Sequence, residues 1–288
     1  MSFQAIRLPR RFSGSPRVLP GFGLSMGISV LFISLVLLLP MTGLFGQLAG
    51  LSLAEYWTII SDPRVVASYA VTIGAAAVAA LANGVFGLLL AWVLVRYEFP
   101  GKRFLDALMD LPFALPTAVA GITLATLYAK SGWVGGLLEP LGFKVAYTWV
   151  GIALAMAFTS IPFVVRTVQP VLEDMPAEID EAAVSLGASD GVAFRRVIMP
   201  HLWPALVTGT GLAFVRSLGE FGAVIFIAGN APYETEITAL MIFVKLQEYD
   251  FAGASAIASV VLFVSLALLL AINIWQGRFV RRLHGGRG

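Results

Sequence analysis

Cysteine is absent from this chain of 288 residues, which excludes both a disulfide framework and any thiol chemistry. Histidine is nearly absent. The two that occur, His201 and His284, stand at spacings that match no recognised metal cluster. No nucleophile, base or metal set converges in the sequence, so neither a catalytic nor a metal site is expected, and an embedded enzyme is not supported. No G-x-x-x-x-G-K-[ST] loop is present to cradle phosphates, so ATP hydrolysis cannot reside here. Charge is scarce too, at 12% of residues against the roughly one-quarter of soluble domains. No internal repeat and no break in composition marks a second, soluble domain.

What remains is oil. Apolar residues make up 58% of the chain, and they gather in runs at 18–54, 65–95, 111–129, 145–165 and 251–277. A sixth run, 204–229, is interrupted only by Arg216 and Glu220. Each run approaches or exceeds the roughly 20 residues that cross a bilayer, and none shows the short alternating pattern of a β-barrel. The expectation is an all-α membrane protein with six transmembrane helices, lipid being its immediate solvent. The basic stretch "RLPRRFSGSPR" precedes a run too long for a signal peptide and without an obvious small-residue cleavage site. It is expected to be a short tail before an uncleaved first span. Placing that tail inside and alternating from there puts fourteen Lys and Arg on inner segments and four on outer ones. The positive-inside rule then leaves both termini cytoplasmic. The expected organisation is a cytoplasmic tail at 1–18, a six-helix domain at 19–277 with an inner loop at 166–200, and a basic tail at 278–288.

Several details bear on function. "LSLAEYWTIISDP" in the first outer loop suggests a short amphipathic piece. Pro112 and Pro116 remove two backbone donors near the inner end of the third run. Broken backbone persists in hydrocarbon only where neighbours or a wet cavity satisfy it, so these prolines make either an ordinary kink or a bend that shapes a translocation path. Arg216 and Glu220 fall four apart in "FVRSLGEFGAVIFIAGN" and share a helical face. At 1.5 Å per residue, Arg216 lies roughly 24 Å beyond Pro200, deep in the membrane or in its outer half. Charge there costs about 2.5–3.5 kcal/mol on insertion scales. Either the pair fixes packing, or Arg216 faces the path of an anion with Glu220 orienting it. Glu234, Glu236, Glu248 and Asp250 make the last outer loop acidic, which suits a basic docking rim or simple solvation.

The inner loop carries the strongest signal. In "EAAVSLGASDGVAFRRVIMP", Ile179, Ala182, Ala183 and Leu186 form a small apolar stripe at helical spacing. Gly187 is placed to end that helix in a left-handed conformation, and Ser189 or Asp190 to cap a second short one. A lipid-surface helix would carry Lys and Arg on its polar side, whereas this one is net acidic, which favours a protein partner. The stretch resembles the EAA loop of membrane subunits of binding-protein-dependent ABC importers: Glu181, Ala182, Ala183, Gly187 and Pro200 match its identities and spacing, with Val197 and Met199 at positions usually Ile and Leu. The resemblance covers helices 2 to 6. It implies a type I ABC importer permease-like bundle in a bacterial inner membrane, with this loop as the coupling helix docked in a groove of a separate ATPase subunit. ATP and magnesium would reside on that ATPase, leaving no cofactor on this chain.

Within the family, "LGEFGAVIFIAGN" and "DLPFALPTAVAGITLATLY" resemble the sulfate/thiosulfate branch of oxyanion permeases, and within it the T-type subunit. Molybdate permeases share the LGEFGA core and are the nearest alternative. The resemblance implies a homologous W-type permease subunit, two ATPase copies, a periplasmic sulfate/thiosulfate-binding protein and no nucleic-acid partner. A secondary transporter driven by ions would instead favour relay carboxylates and broken helices in two repeats.

Overall fold

The computed structural model describes residues 22–284; the expected tail at 1–18 lies outside them, as do the last four residues of the basic tail. The described residues form helices and turns, with no strand among them. They divide into two units, one ending at Gly50 and one beginning at Leu51.

The first unit is a single helix, α1 (Phe22–Ala49), apolar on every face and with no buried residue. Pro40 has no N–H to offer the preceding turn, and the helix widens into a π turn over Ser34–Leu38 just before it.

The second unit opens with α2 (Leu53–Ile60), the amphipathic piece expected in the first outer loop. Its capping box is complete. Ser52 Oγ accepts from the Glu55 N–H at 3.2 Å, and Glu55 Oε2 accepts from the Ser52 N–H at 2.8 Å and its hydroxyl at 2.7 Å. Those bonds hold the Glu55 carboxyl below the usual carboxylate range. α3 (Pro63–Arg96) starts with proline at its first position and Asp62 Oδ1 accepting from the N–H groups of Arg64 and Val65. After Gly101, which turns the chain at φ +88°, come α4 (Lys102–Met109), α5 (Leu111–Ala114), α6 (Thr117–Tyr128) and α7 (Gly135–Leu138). Next are α8 (Trp149–Glu173), α9 (Ala177–Ser185) and α10 (Asp190–Leu218), then α11 (Val224–Ile227), α12 (Thr238–Gln247) and α13 (Phe251–His284).

Among the described residues, five helices are long and apolar enough to cross a membrane: α1, α3, α8, α10, and α13 as far as Gly277. The all-helical membrane fold stands, with two changes to the expected spans. The run at 111–129 is not one helix. Leu115 is extended at ψ 135°, separating α5 from α6, and the 12 residues of α6 rise only about 18 Å. The run at 204–229 is also shifted, because its helix begins at Asp190 and stops at Leu218.

α3, α8 and α10 pack against one another and hold the core. Lipid is as apolar as leucine, so close backbone approach has to drive this association. Small residues permit it: Ala75, Ala76, Ala79 and Ala80 of α3 are buried, and a Cβ on Gly87 would lie 2.8 Å from Val164 Cγ1 on α8. Gly87→Leu is therefore expected to destabilise the bundle by about 1–3 kcal/mol through overpacking, read as a lower midpoint of thermal unfolding in detergent. An unchanged midpoint would mean that the two helices do not approach this closely.

Candidate functional site

The loop expected on the inner side folds as a glycine-hinged pair of helices. At the end of α9 the Ala188 N–H donates to the Ala183 carbonyl at 3.0 Å and the Leu186 N–H to the Ala182 carbonyl at 3.1 Å. Between them Gly187 adopts φ +79°. This closure across a left-handed residue is a Schellman-type cap, as its position in the sequence suggested. Ser189 follows in extended conformation as the N-cap of α10, but its side chain makes no capping bond; its carbonyl instead accepts from Val192 and Ala193 at 2.9 Å.

Two further expectations change. The second helix is not short, because Asp190 begins a helix that continues to Leu218. Pro200 interrupts nothing: a π turn over Phe194–Ile198 precedes it, with the Met199 N–H reaching back to Phe194, and this accommodates the missing donor. Along the apolar stripe the exposure varies. Ala183 is buried and Ile179 partly so, while Glu181, Ala182 and Leu186 are exposed, Leu186 to 88%. The loop thus exposes a carboxylate, a small residue and a large apolar side chain.

The other end of α10 carries the second group of residues. The helix stops at Leu218, with Gly219 as its C-cap, so Glu220 lies beyond the helix and not one turn up its face. Arg216 and Glu220 still meet. Glu220 is only 2% exposed; its Oε1 accepts from the Ala223 N–H at 3.0 Å. Its Oε2 lies 2.8 Å from Arg216 Nη1, yet off the N–H direction, so that charge joins them without a hydrogen bond. The Arg216 side chain is 36% exposed. Glu220 is its one charged partner among the described residues, which leaves guanidinium donors free for another acceptor. A buried carboxylate with a single counter-charge and a half-open guanidinium is an arrangement that an anion can approach.

The interruption after α10 abuts the interruption before α6. A Cβ on Gly222 would run into the Thr117 hydroxyl, and one on Gly121 would run into the Ala223 carbonyl and lie 2.8 Å from Ala223 Cα. Pro116, immediately before Thr117, is thereby brought to the same region as Arg216 and Glu220. Pro112 is not. It is buried in α5, which packs on α8, where Phe113 meets Phe163 edge-on at 5.4 Å. Backbone atoms cannot move aside as a side chain can, so Gly121→Ala is expected to disturb this junction out of proportion to one methyl group. The bundle should lose about 1–3 kcal/mol of stability, read as a lower midpoint of thermal unfolding in detergent with membrane insertion retained; an unchanged midpoint would show that the two breaks do not touch.

A buried polar chain supports the end of α10. Asn83 Nδ2 of α3 donates to Ser160 Oγ and to the Ala157 carbonyl of α8, both at 2.9 Å, and Ser160 Oγ lies 3.2 Å from Ser217 Oγ. The Ser217 carbonyl accepts from the Glu220 N–H at 3.1 Å. Asn83 is a lone polar residue inside an apolar run, while Ser160 follows Thr159 and Ser217 follows Arg216; the signal was available in the sequence but not taken up there. The acidic loop expected on the outer side needs a correction as well. Glu236 is buried and receives the Arg64 guanidinium at 2.8 Å on both oxygens, and Lys245 pairs with Glu248 and Asp250. Only Glu234 of the four is exposed without a charged partner among the described residues.

Residues 83–285 match the family described as the binding-protein-dependent transport system inner membrane component. The chain is 62% identical over 271 residues to the sulfate transport system permease protein CysT of Salmonella typhimurium, covering 94% of this chain and 98% of that one. The protein of that name from Escherichia coli matches to the same extent, again 62% over 271 residues. Among solved structures, a chain of a bacterial ABC transporter involved in the import of the acidic polysaccharide alginate superposes with a TM-score of 0.71. At 18% identity, over 90% of this chain and 96% of that one, the likeness concerns the fold.

Proposed function

Because this chain belongs to the binding-protein-dependent transport system inner membrane component family, we propose that it is the T-type permease subunit of an ATP-driven importer of sulfate and thiosulfate. Relatives named as sulfate permeases, at 62% identity along nearly the whole chain, support that substrate. One observation carries the mechanism. A single helix, α10, runs the 29 residues from the glycine-hinged loop to the Arg216–Glu220 junction, a rise of about 43 Å. A displacement of the loop is delivered directly to the charged pair.

The loop, through Glu181, Ala182 and the exposed Leu186, docks in a groove of an ATPase subunit, with Gly187 setting its angle. Two such ATPases hold the ATP and magnesium, a homologous W-type permease completes the pathway, and a periplasmic binding protein delivers the anion to the outer loops. In this reading both termini are cytoplasmic in a bacterial inner membrane. Closure of the ATPases on nucleotide moves the paired loops and shifts the bundle between inward-open and outward-open forms, which must lie within a few kcal/mol of each other. Sulfate, a dianion that pays a prohibitive desolvation penalty in hydrocarbon, passes the break where the free donors of Arg216 offer a transient partner. Selectivity rests mainly with the binding protein.

The test is uptake of labelled sulfate and labelled molybdate into vesicles holding the complete complex. Sulfate uptake that requires both ATP and the binding protein, and exceeds molybdate uptake, is expected. A preference for molybdate would move the chain to the neighbouring branch, and uptake without ATP would sink the coupling mechanism.

A further inference from the structure

We infer that Arg166 is a coupling clamp, a positioning residue through which motion of the glycine-hinged loop reaches the proline-broken segment α4–α6. Arg166 lies on α8 two turns before Glu173, where the chain leaves for the loop. A guanidinium has five N–H donors in a rigid fork, and here each is directed at an acceptor. Nε and Nη2 grip the Asp110 carboxylate at 2.9 and 2.6 Å; Nη2 also reaches the Asp106 carbonyl at 3.0 Å. Nη1 reaches the Asp106 carboxylate at 2.6 Å and Gln169 Oε1 at 2.7 Å. Gln169 in turn donates to Glu173 at 3.0 Å, extending the grip to the last turn of α8.

The partners sit where α4 and α5 join. The Asp110 carbonyl accepts from the Phe113 and Ala114 N–H groups at 3.0 and 3.3 Å, so its residue defines the entry into the broken segment. α4 has little else to hold it: none of its residues is fully buried, and only Leu105 and Met109 lean on the α3–α8–α10 core. The ion pairs are partly exposed, Arg166 at 31%, Asp106 at 39% and Asp110 at 53%, and such pairs add little to stability. Their geometry is what matters. Four of the five directed bonds cross to Asp106 and Asp110 and fix α4 to the end of α8 as one body, so displacement of the loop is carried into Asp110, past Pro112 and Pro116, to the Thr117–Gly222 contact. The charged pair is then reached along two routes, α10 directly and α8 through the clamp.

The inference rests on the transport function proposed above, and the experiment separates the two. In vesicles holding the complete complex, sulfate moved per ATP hydrolysed is measured for the wild type, Arg166→Met, Arg166→Lys and the exchanged pair Arg166→Asp with Asp110→Arg. A wild-type complex that fails to import sulfate overturns the transport reading. If it imports, Arg166→Met is expected to lower the ratio at least about fivefold, the lower end of a typical coupling effect, while ATP hydrolysis continues. Arg166→Lys, a point charge without the fork, should stay low, and the exchanged pair should recover part of the loss. Should Arg166→Met not assemble, Asp110→Asn is read in the same assay. A wild-type ratio in the assembled Met or Asn variant overturns the clamp. Because the chain has no cysteine, Arg103→Cys and Asp174→Cys can carry a spin-label pair across the joint. Their distance should not change between nucleotide-free and ATP-bound complexes; a change means that the clamp opens during the cycle and does not transmit.

Discussion

Arg216→Gln is expected to reduce sulfate uptake by at least about 100-fold, equivalent to 2.7 kcal/mol, while the ATPase subunits still assemble. The single variant has two effects that must be separated. It removes the free donors offered to the anion, and it strips Glu220, 2% exposed, of its counter-charge. Loss of one partner costs about 3–5 kcal/mol where both charges are buried and less here, because the Arg216 side chain is 36% exposed, so only part of the deficit would come from the fold. Arg216→Gln combined with Glu220→Gln removes both charges at nearly constant shape. The double variant should therefore regain thermal stability and still fail to import. Glu220→Gln alone keeps the guanidinium and frees it from its carboxylate; assembly should be retained and the dependence of uptake on sulfate concentration altered. Full uptake by the double variant would reduce the pair to a packing device.

The second large effect is expected at Gly187. Its φ is +79° and nothing lies within 4 Å of where a Cβ would stand, so a substitution there meets backbone strain and no clash. A residue other than glycine in the left-handed region costs about 1–2 kcal/mol, more for a β-branched one, and the chain escapes by changing the angle between α9 and α10. Gly187→Val is expected to abolish import and to reduce co-purification of the ATPase at least about tenfold, the equivalent of 1.4 kcal/mol of docking energy. Gly187→Asn should retain most of both, because asparagine tolerates this conformation. Equal loss in the two variants would show that the absence of a side chain at Gly187, and not its backbone angle, is what docking requires.

The residues at these two sites were legible in the sequence to different degrees. Long apolar runs announced a membrane bundle, and Gly187 announced its cap, because both signals are local. The partnership of Arg216 and Glu220 was legible as well, since few alternatives exist for charge in an apolar run. Its geometry was not. Gly219 and Gly222 flank Glu220, and glycine in a span permits either close packing or a break; only the neighbouring break at Pro116, 104 positions earlier in the sequence, gives the opened backbone a place to go. Pro200 misled in the opposite direction: it reads as a boundary, yet a π turn over Phe194–Ile198 carries the helix past it. Glu236 read as a solvated loop charge because its partner, Arg64, is 172 residues away. The five-bond setting of Arg166 was hidden for the same reason, its two aspartates being 60 and 56 residues distant.

The sidedness of Leu186 tests the coupling mechanism most directly. With no cysteine in the chain, Leu186→Cys provides one thiol on the exposed face of the loop. A membrane-impermeant maleimide should label it in inverted vesicles and not in right-side-out cells, and bound ATPase subunits should protect it. Labelling from the outside, or labelling from the inside that the ATPase does not slow, would contradict a loop that seats in an ATP-driven motor.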